Sequence, residues 1–260
     1  MAALQLAASE YGTGPSVAIL HGLFGSGRNW RSIAQQLAAS HRVLTFDLRN
    51  HGASPWAEGM SYREMVEDLR ASLRARGIAH TALLGHSMGG KVAMLTALLY
   101  PAEVDRLVVV DIAPAPNPPA LLAYVRAMRT AGLHGVTRRG DVDAQLAETV
   151  HDPAERAFLL QNLIIDEGTA RWRLNLDAIE RDFPEIVGFP PLPADTAYRG
   201  PTLFVAGARS DHIRPEHEPV IRRLFPQAEI TRIEGAGHWV HAEQPQAFLQ
   251  TVEAFLSAGE

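Results

Sequence analysis

The sequence has no cysteine among its 260 residues. This excludes disulfide bridges, thiol nucleophiles and cysteine-ligated metal sites, and it suits a reducing compartment. Long hydrophobic runs are also missing, since no segment approaches the ~18 uninterrupted apolar residues of a membrane helix. Residues 1–11 lack the basic start and apolar stretch of a secretory signal. We therefore expect a soluble, cytoplasmic protein with no membrane span.

An excess of positive charge is missing as well, because 24 Lys+Arg residues against 29 Asp+Glu residues give a net charge of −5. This balance argues against a nucleic acid or an anionic membrane surface as a partner. What is present is ordinary for a globular protein, with 47% hydrophobic and 20% charged residues. The length suffices for one α/β domain that carries an inserted subdomain.

Short apolar runs alternate with longer amphipathic stretches, which is the pattern of βαβ units in a parallel sheet. Near-continuous apolar runs are typical of strands buried on both faces. The predicted strands are Val17–Leu20, Arg42–Phe46, Thr81–Leu84, Leu107–Val110, Thr202–Ala206 and the less apolar Glu229–Ile233. The predicted helices include Trp30–Ala38, Tyr62–Ala75, Gly90–Leu99 and Pro245–Leu256.

The alternation of strands and helices stops between two proline clusters, residues 113–120 and 189–193, which we interpret as linkers. Between them, apolar residues recur at helical spacing. These are Leu121, Leu122, Val125 and Met128, then Val142, Leu146 and Val150, then Phe158, Leu159, Asn162 and Ile165. We predict a core domain formed by residues 1–114 and 198–260, with a helical cap over 115–197 inserted between two strands. The alternative is that these helices simply pack on the flank of the sheet.

The stretch TALLGHSMGG, residues 81–90, places a G-x-S-x-G motif between an apolar strand and a helix. This context is typical of a nucleophile elbow, in which a sharp, strained turn projects the hydroxyl of Ser87 above the sheet. Gly85 and Gly89 let the strand and the helix approach each other closely. The helix N-terminus then favours a developing oxyanion, with the amide of Met88 as one donor.

A second oxyanion donor is predicted in the glycine-rich loop that follows the first strand. Residues 17–27 read VAILHGLFGSG, and the amide of Leu23 is the candidate. An ordinary tight turn after a buried strand would have the same composition.

The general base should be a late histidine, because chains with this elbow carry serine, acid and histidine in that order. His238 fits best, in a glycine-rich loop after the last predicted strand. His241 competes with it, and the pair also has a two-ligand metal spacing, but no further ligands accompany them. The acid is ambiguous between Asp111 and Asp211, because both follow strands at the edge where sites of open α/β sheets form.

The chain resembles small α/β-hydrolases, and among them the bacterial ybfF-type acyl esterases and their mitochondrial α/β-hydrolase-domain relatives. The resemblance spans nearly the whole chain. The matching stretches are HGLFGS at 21–26, FDLRNHGASP at 46–55, GHSMGGK at 85–91, VVDIAP at 109–114 and GAGHWVHAEQP at 235–245.

This resemblance implies an α/β-hydrolase fold, a mostly parallel twisted sheet flanked by helices, with a helical cap after the sixth strand. It implies Asp111 as the acid, and Ser210 as an auxiliary group near the histidine. The sequence departs from the family by placing Asp211 beside that serine, so Asp211 stays an alternative acid. The implied substrates are short-to-medium acyl esters, with acyl-CoA thioesters as a further class.

The expected reaction is therefore acyl transfer to Ser87, with His238 as base, and hydrolysis of the acyl-enzyme by water. It needs no metal and no cofactor, and its partner is a small-molecule ester or thioester. Candidate pocket residues are Phe24, Trp239, Leu121, Leu122 and Phe158, although those in the cap could instead form its own core.

Two other functions fit part of the pattern. A protein of this fold could retain the site and only bind a small molecule. Residues 85–91 also spell G-x-x-x-x-G-K, the start of a P-loop for nucleotides. Val92 stands where that motif needs a serine or threonine, and the motif leaves the His238 loop unexplained.

Overall fold

The computed structural model describes residues 3–166 and 169–258, so the extreme ends of the predicted core segments lie outside the described residues. The strands are β1 Ala8–Tyr11, β2 Ser16–Leu20, β3 Arg42–Phe46, β4 Thr81–His86, β5 Val104–Val110, β6 Leu163–Asp166, β7 Thr169–Trp172, β8 Thr202–Gly207 and β9 Ala228–Ile233. The helices are α1 Arg31–Leu37, α2 Tyr62–Arg74, α3 Met88–Leu99, α4 Leu122–Thr130, α5 Arg139–Leu146, α6 Pro153–Leu160, α7 Leu176–Arg181, α8 Phe183–Val187, α9 Glu218–Leu224, α10 Val240–Glu243 and α11 Pro245–Ser257.

Seven strands form one sheet in the order β1-β3-β2-β4-β5-β8-β9. All neighbouring pairs are parallel except β1 with β3. The predicted parallel sheet is confirmed. Sequence reasoning missed β1, because this edge strand has exposed central residues and therefore no buried apolar run.

Helices cover both faces of the sheet because successive strand residues point to opposite sides. On β2, Ala18 and Leu20 join the cluster that also contains residues of α2 and α3. Val17 and Ile19 join the second cluster, with residues of α1 and α11. None of the helices in the described ranges is both long and apolar enough to cross a membrane.

The segment between β5 and β8 contains α4, α5 and α6, as the helical spacing predicts, together with α7, α8 and the antiparallel hairpin β6-β7. The expected helix through Ile165 is wrong, because α6 ends at Leu160 and Ile165 lies in β6. Asn162 follows that end and turns its side-chain amide to the carbonyls of Phe24 and Leu159. Within residues 3–166 the strand before this segment is the fifth, not the sixth, because β1 alone precedes β2 there.

Candidate active site

Ser87 lies on the one-residue turn between β4 and α3, with φ 51° and ψ −120°. This strained conformation is held by close backbone packing. A Cβ at Gly85 would collide with the carbonyl of Gly89. One at Gly89 would collide with the carbonyl oxygens of Leu20, the last residue of β2, and of His21. The side chain therefore stands at the carboxyl edge of the sheet, as the motif predicts.

The loop after β2 lies directly against this turn, since a Cβ built at Gly22 would be 3.1 Å from the Cβ of Ser87. Two residues after Gly22, the amide of Phe24 donates to His51 Nε2 at 3.3 Å. The amides of Leu23 and Met88 donate to no acceptor among residues 3–166 and 169–258. Two unused N–H groups therefore flank the serine.

Two buried histidines hold this loop. His21 Nε2 accepts from the amide of Leu48 at 2.9 Å, and His51 Nε2 accepts from Phe24. The Nδ1 atom of each ring donates to a backbone carbonyl. Only the neutral ring can donate at one nitrogen and accept at the other. Burial lowers the pKa of His21 to about 4, and burial together with repulsion from His21 lowers that of His51 to about 3.

Lowering the pH from about 7 to about 4 should destabilise the protein through these rings. The unfolded chain binds protons as the pH falls through the ordinary histidine value of about 6.5, whereas the folded chain does not. The stabilisation is thus complete above that pH and is lost as the pH falls towards the folded values. For His21 the loss amounts to about 3 kcal/mol. Denaturant unfolding at a series of pH values measures it.

The matched variant is His51→Gln, which keeps an acceptor for the Phe24 amide but does not titrate. Its free energy of unfolding should fall less steeply with acid than that of the wild type, by about 1 kcal/mol per pH unit. His134→Gln, at an exposed position, should follow the wild type. Equal slopes in the wild type and His51→Gln would contradict this account.

His238 lies in the loop after β9 and contacts Asp111, which follows β5. His238 Nδ1 is 2.8 Å from Asp111 Oδ2. Asp111 Oδ1 accepts from the amide of Gly207 at 3.0 Å, and the residue has φ 49°. Its carboxylate is fully buried. The imidazole is thereby oriented with Nδ1 towards the acid and Nε2 directed away from it.

Asp211 is placed differently from Asp111. Its carboxylate is 83% exposed and lies 3.6 Å from His212 Nδ1. No hydrogen bond joins it to His238 among the described residues. The neighbouring Ser210 instead donates its hydroxyl to Asp111 Oδ2. This serine therefore contacts the buried carboxylate of Asp111, whereas the family resemblance implies a position near the histidine.

His212 was not singled out from the sequence, yet its ring stacks on His238 with centroids 3.9 Å apart and 19° between the planes. Burial, and then repulsion from His238, lower the pKa of His212 to about 4. His86 donates from Nε2 to the carbonyl of His238 at 2.9 Å, and burial keeps its pKa well below the ordinary value. The rings nearest His238 therefore stay neutral, which avoids repulsion when His238 gains a proton.

His241, the competing base, stacks on Trp30 at 3.9 Å, and burial lowers its pKa to about 3. A different cluster has the spacing of a metal site. Potential ligand atoms of Asp111, His212 and His238 lie within 4.8 Å of one another. The lone pair of an imidazole nitrogen lies in the ring plane. Two rings stacked nearly parallel cannot both direct such a lone pair at one ion, so this cluster fits a metal poorly.

One cavity of about 440 Å³ is lined by Ser87, His238, Leu23 and Met88, and we call it the Ser87 cavity. Of the predicted pocket residues, four line it: Phe24, Trp239, Leu121 and Phe158. Leu122 is not among its lining residues and packs against the core cluster instead. The reason is that consecutive helical residues point about 100° apart, so Leu121 and Leu122 cannot share one direction.

The P-loop alternative fails because residues 85–91 form no phosphate-binding loop: β4 runs to His86 and α3 begins at Met88. Lys91 Nζ donates to the carbonyls of Val187 and Gly188, at 2.9 and 2.7 Å. It is thus engaged with the backbone at the end of α8.

Comparison with known proteins finds relatives over nearly the whole chain. The family described as alpha/beta hydrolase fold matches residues 15–245. The sn-1-specific diacylglycerol lipase of Mus musculus is 43% identical over 252 residues, which cover 94% of this chain and 81% of the mouse protein. Esterase YbfF of Escherichia coli is 33% identical over 257 residues, 97% of each chain. The solved structure of a marine microorganism esterase has a TM-score of 0.94 at 36% identity, covering 97% of this chain and 100% of that one.

Proposed function

The chain belongs to the α/β-hydrolase family and is a serine ester hydrolase, and from this premise we propose that Ser87, His238 and Asp111 form its catalytic triad. The observation that carries the assignment is the 2.8 Å contact between His238 and the buried carboxylate of Asp111, beside the cavity that Ser87 lines. The serine has the strained backbone of a nucleophile elbow.

In the proposed mechanism Ser87 Oγ attacks the acyl carbonyl carbon while His238 Nε2 accepts the hydroxyl proton. Asp111 holds Nδ1 protonated and stabilises the imidazolium that forms. The Ser87 hydroxyl makes no hydrogen bond to another described residue. The serine–histidine hydrogen bond is therefore one that tightens in the substrate complex, as is common in hydrolases.

The amides of Leu23 and Met88 form the proposed oxyanion hole. Support comes from their lack of other acceptors in the described chain and from the position of Met88 as the first residue of α3. The helix dipole adds favourable potential at the same point. Loss of one such donor typically costs about 3 kcal/mol of transition-state stabilisation.

His238 then donates its proton to the departing alcohol, and the ester bond breaks to leave an acyl group on Ser87. Water enters and attacks the acyl carbonyl carbon while His238 takes one of its protons. The bond to Ser87 Oγ then breaks as His238 returns that proton to the serine oxygen, which releases the carboxylic acid. Each proton passes through the imidazole of His238, first from Ser87 to the alcohol and then from water to Ser87, so these steps call for no metal and no cofactor.

Residues 115–197 are proposed as a cap over the core formed by 1–114 and 198–260. The Ser87 cavity supports this division, because Tyr124, Phe158 and Phe183 of the inserted segment line it together with core residues. Asn162 also donates to the carbonyl of Phe24 at 2.8 Å, which links the insertion to the proposed oxyanion loop.

The proposed substrates are esters of short-to-medium acyl chains, because the cavity measures about 440 Å³ and carries aromatic and aliphatic side chains. Glyceride esters are a further proposed class, supported by the diacylglycerol lipase relative that is 43% identical. Acyl-CoA thioesters would follow the same chemistry and belong to the proposal as a further class.

Hydrolysis of p-nitrophenyl esters from acetate to palmitate tests the proposal. We expect kcat/KM to rise with chain length to a maximum at short-to-medium chains and to fall for palmitate, because the cavity encloses a limited volume. An optimum at palmitate would contradict the assignment of chain length. Absence of hydrolysis across the whole series would favour the alternative function, in which the protein binds a small molecule without hydrolysing it.

A further inference from the structure

Lys91 is the only lysine in the sequence, and all other residues of the Lys+Arg total are arginines. It lies on α3 one helical turn beyond Ser87, whose carbonyl accepts from its amide at 3.1 Å. Its side chain is almost completely buried, yet it lines the Ser87 cavity together with Tyr62, Ile112 and Ile186. A basic group is therefore built into the wall of the cavity close to the nucleophile.

The ammonium group of Lys91 has an unused donor. An ammonium carries three N–H donors, and two of them go to the carbonyls of Val187 and Gly188. No other described residue accepts from Nζ. The hydroxyl of Tyr62, on the same wall, is already used, because it donates to the carbonyl of Ile186 at 2.6 Å.

Lys91 also lacks a carboxylate partner within the described ranges, and burial lowers its pKa to about 7. The buried Arg49 is a clear contrast, since it pairs with Asp68 at 2.6 Å and with Glu64 at 3.0 Å. A buried charge without a counter-ion is costly, and an anion placed beside it removes much of that cost. The cavity is the side from which such an anion can reach Lys91.

The geometry points to Lys91 as a binding site for a carboxylate at the far end of the acyl group, so that the substrates include half-esters of dicarboxylic acids. This inference rests on the proposed acylation of Ser87. The chemistry remains ester hydrolysis, and Lys91 contributes binding alone. Its third N–H donates to the carboxylate, and the positive charge that the fold leaves unpaired is neutralised by the substrate.

The test uses pairs of p-nitrophenyl esters that differ only in charge at the far end. One member is the p-nitrophenyl half-ester of a dicarboxylic acid, from succinate to suberate, with its second carboxylate free. The other is the same p-nitrophenyl ester with that carboxylate converted to a methyl ester. Spontaneous release of p-nitrophenol is subtracted. At the best chain length we expect kcat/KM for the free acid to exceed that for the methyl ester by about 10-fold, the typical effect of one charge-assisted hydrogen bond.

The ratio of kcat/KM for the free acid to kcat/KM for the methyl ester is then measured in three variants. In Lys91→Met the preference should fall by about 10-fold, and Lys91→Arg should keep part of it. The matched control is Arg139→Met, because Arg139 also donates to two backbone carbonyls, those of Leu160 and Leu163, but does not line the cavity. Its ratio should equal that of the wild type.

A second measurement keeps the wild-type chain and does not depend on how the variants fold. Because Lys91 is the only lysine, its acetylation by an amine-reactive reagent can be quantified on a single peptide by mass spectrometry. Glutarate or adipate should slow acetylation of Lys91, whereas pentanoate at the same concentration should not.

A wild-type ratio near one at every chain length overturns the inference, as does a preference that survives in Lys91→Met. Equal acetylation with and without the dicarboxylates also overturns it. These results leave the proposed function standing if the methyl esters are hydrolysed. Failure to hydrolyse any ester would instead contradict the proposed function, and the acetylation experiment would still decide whether Lys91 binds carboxylates.

Discussion

Replacing Ser87 by alanine should lower kcat for p-nitrophenyl butyrate by about 10⁵-fold or more, since removal of a serine nucleophile abolishes the covalent route. The remaining rate would come from substrate binding and the oxyanion donors alone. Stability should change by less than about 0.5 kcal/mol, because the hydroxyl makes no hydrogen bond in the described chain. Alanine also keeps the Cβ, so the strain at φ 51° is the same.

Steady-state kinetics and a thermal melt of the same preparations measure both effects. Ser257→Ala is the matched control, because Ser257 lies at an exposed position near the end of α11. A fluorophosphonate should label the wild type once, on Ser87, and should leave Ser87→Ala unlabelled. Comparable hydrolysis by the wild type and Ser87→Ala would remove Ser87 from the mechanism.

Asp111→Asn should lower kcat by about 10³- to 10⁴-fold, because the amide can turn an N–H group towards His238 and so select the wrong tautomer of the ring. Asparagine is tolerated at positive φ, so the backbone at φ 49° should persist. The carboxylate also accepts from Ser210 and from the amide of Gly207, so some stability should be lost as well. A thermal melt separates that loss from the catalytic one.

Asp211→Asn is the matched variant for this prediction. Its carboxylate is 83% exposed, and we expect kcat to change by about two-fold at most. Equal and small losses in the two variants would mean that neither residue is the acid. A large loss confined to Asp211→Asn would assign the acid to the loop after β8 and would require that loop to rearrange when substrate binds.

Local patterns were sufficient for most of the sheet. Strands such as β4 and β8 are buried along their whole length, so they read as continuous apolar runs. The edge strand β1 gave no such signal, because its stability comes from backbone pairing with β3. The first residues of β6 were taken for the end of a helix for a different reason. A few apolar residues at three- and four-residue spacing suit both structures.

The candidate site divides in the same way. Ser87 and His238 could be proposed from the sequence because a tight turn between strand and helix, and a glycine-rich loop, are recognisable within a few neighbouring residues. His212 has no such local pattern, and Lys91 was noted only as the last residue of the stretch 85–91. A single histidine or lysine has no periodicity, and its neighbours in the cavity come from segments more than 20 residues away in the chain, such as His238 and Val187.

The sequence by itself determined the alternation of strands and helices, the elbow at Ser87, and the presence of two acids suited to hold a histidine. Only the tertiary structure brought Asp111 rather than Asp211 into contact with His238 and enclosed Lys91 without a counter-ion. The physical reason is that turns and strands depend on residues a few positions apart. Hydrogen bonding, burial and the pairing of charges depend on distances between parts of the chain that only the packed fold brings together.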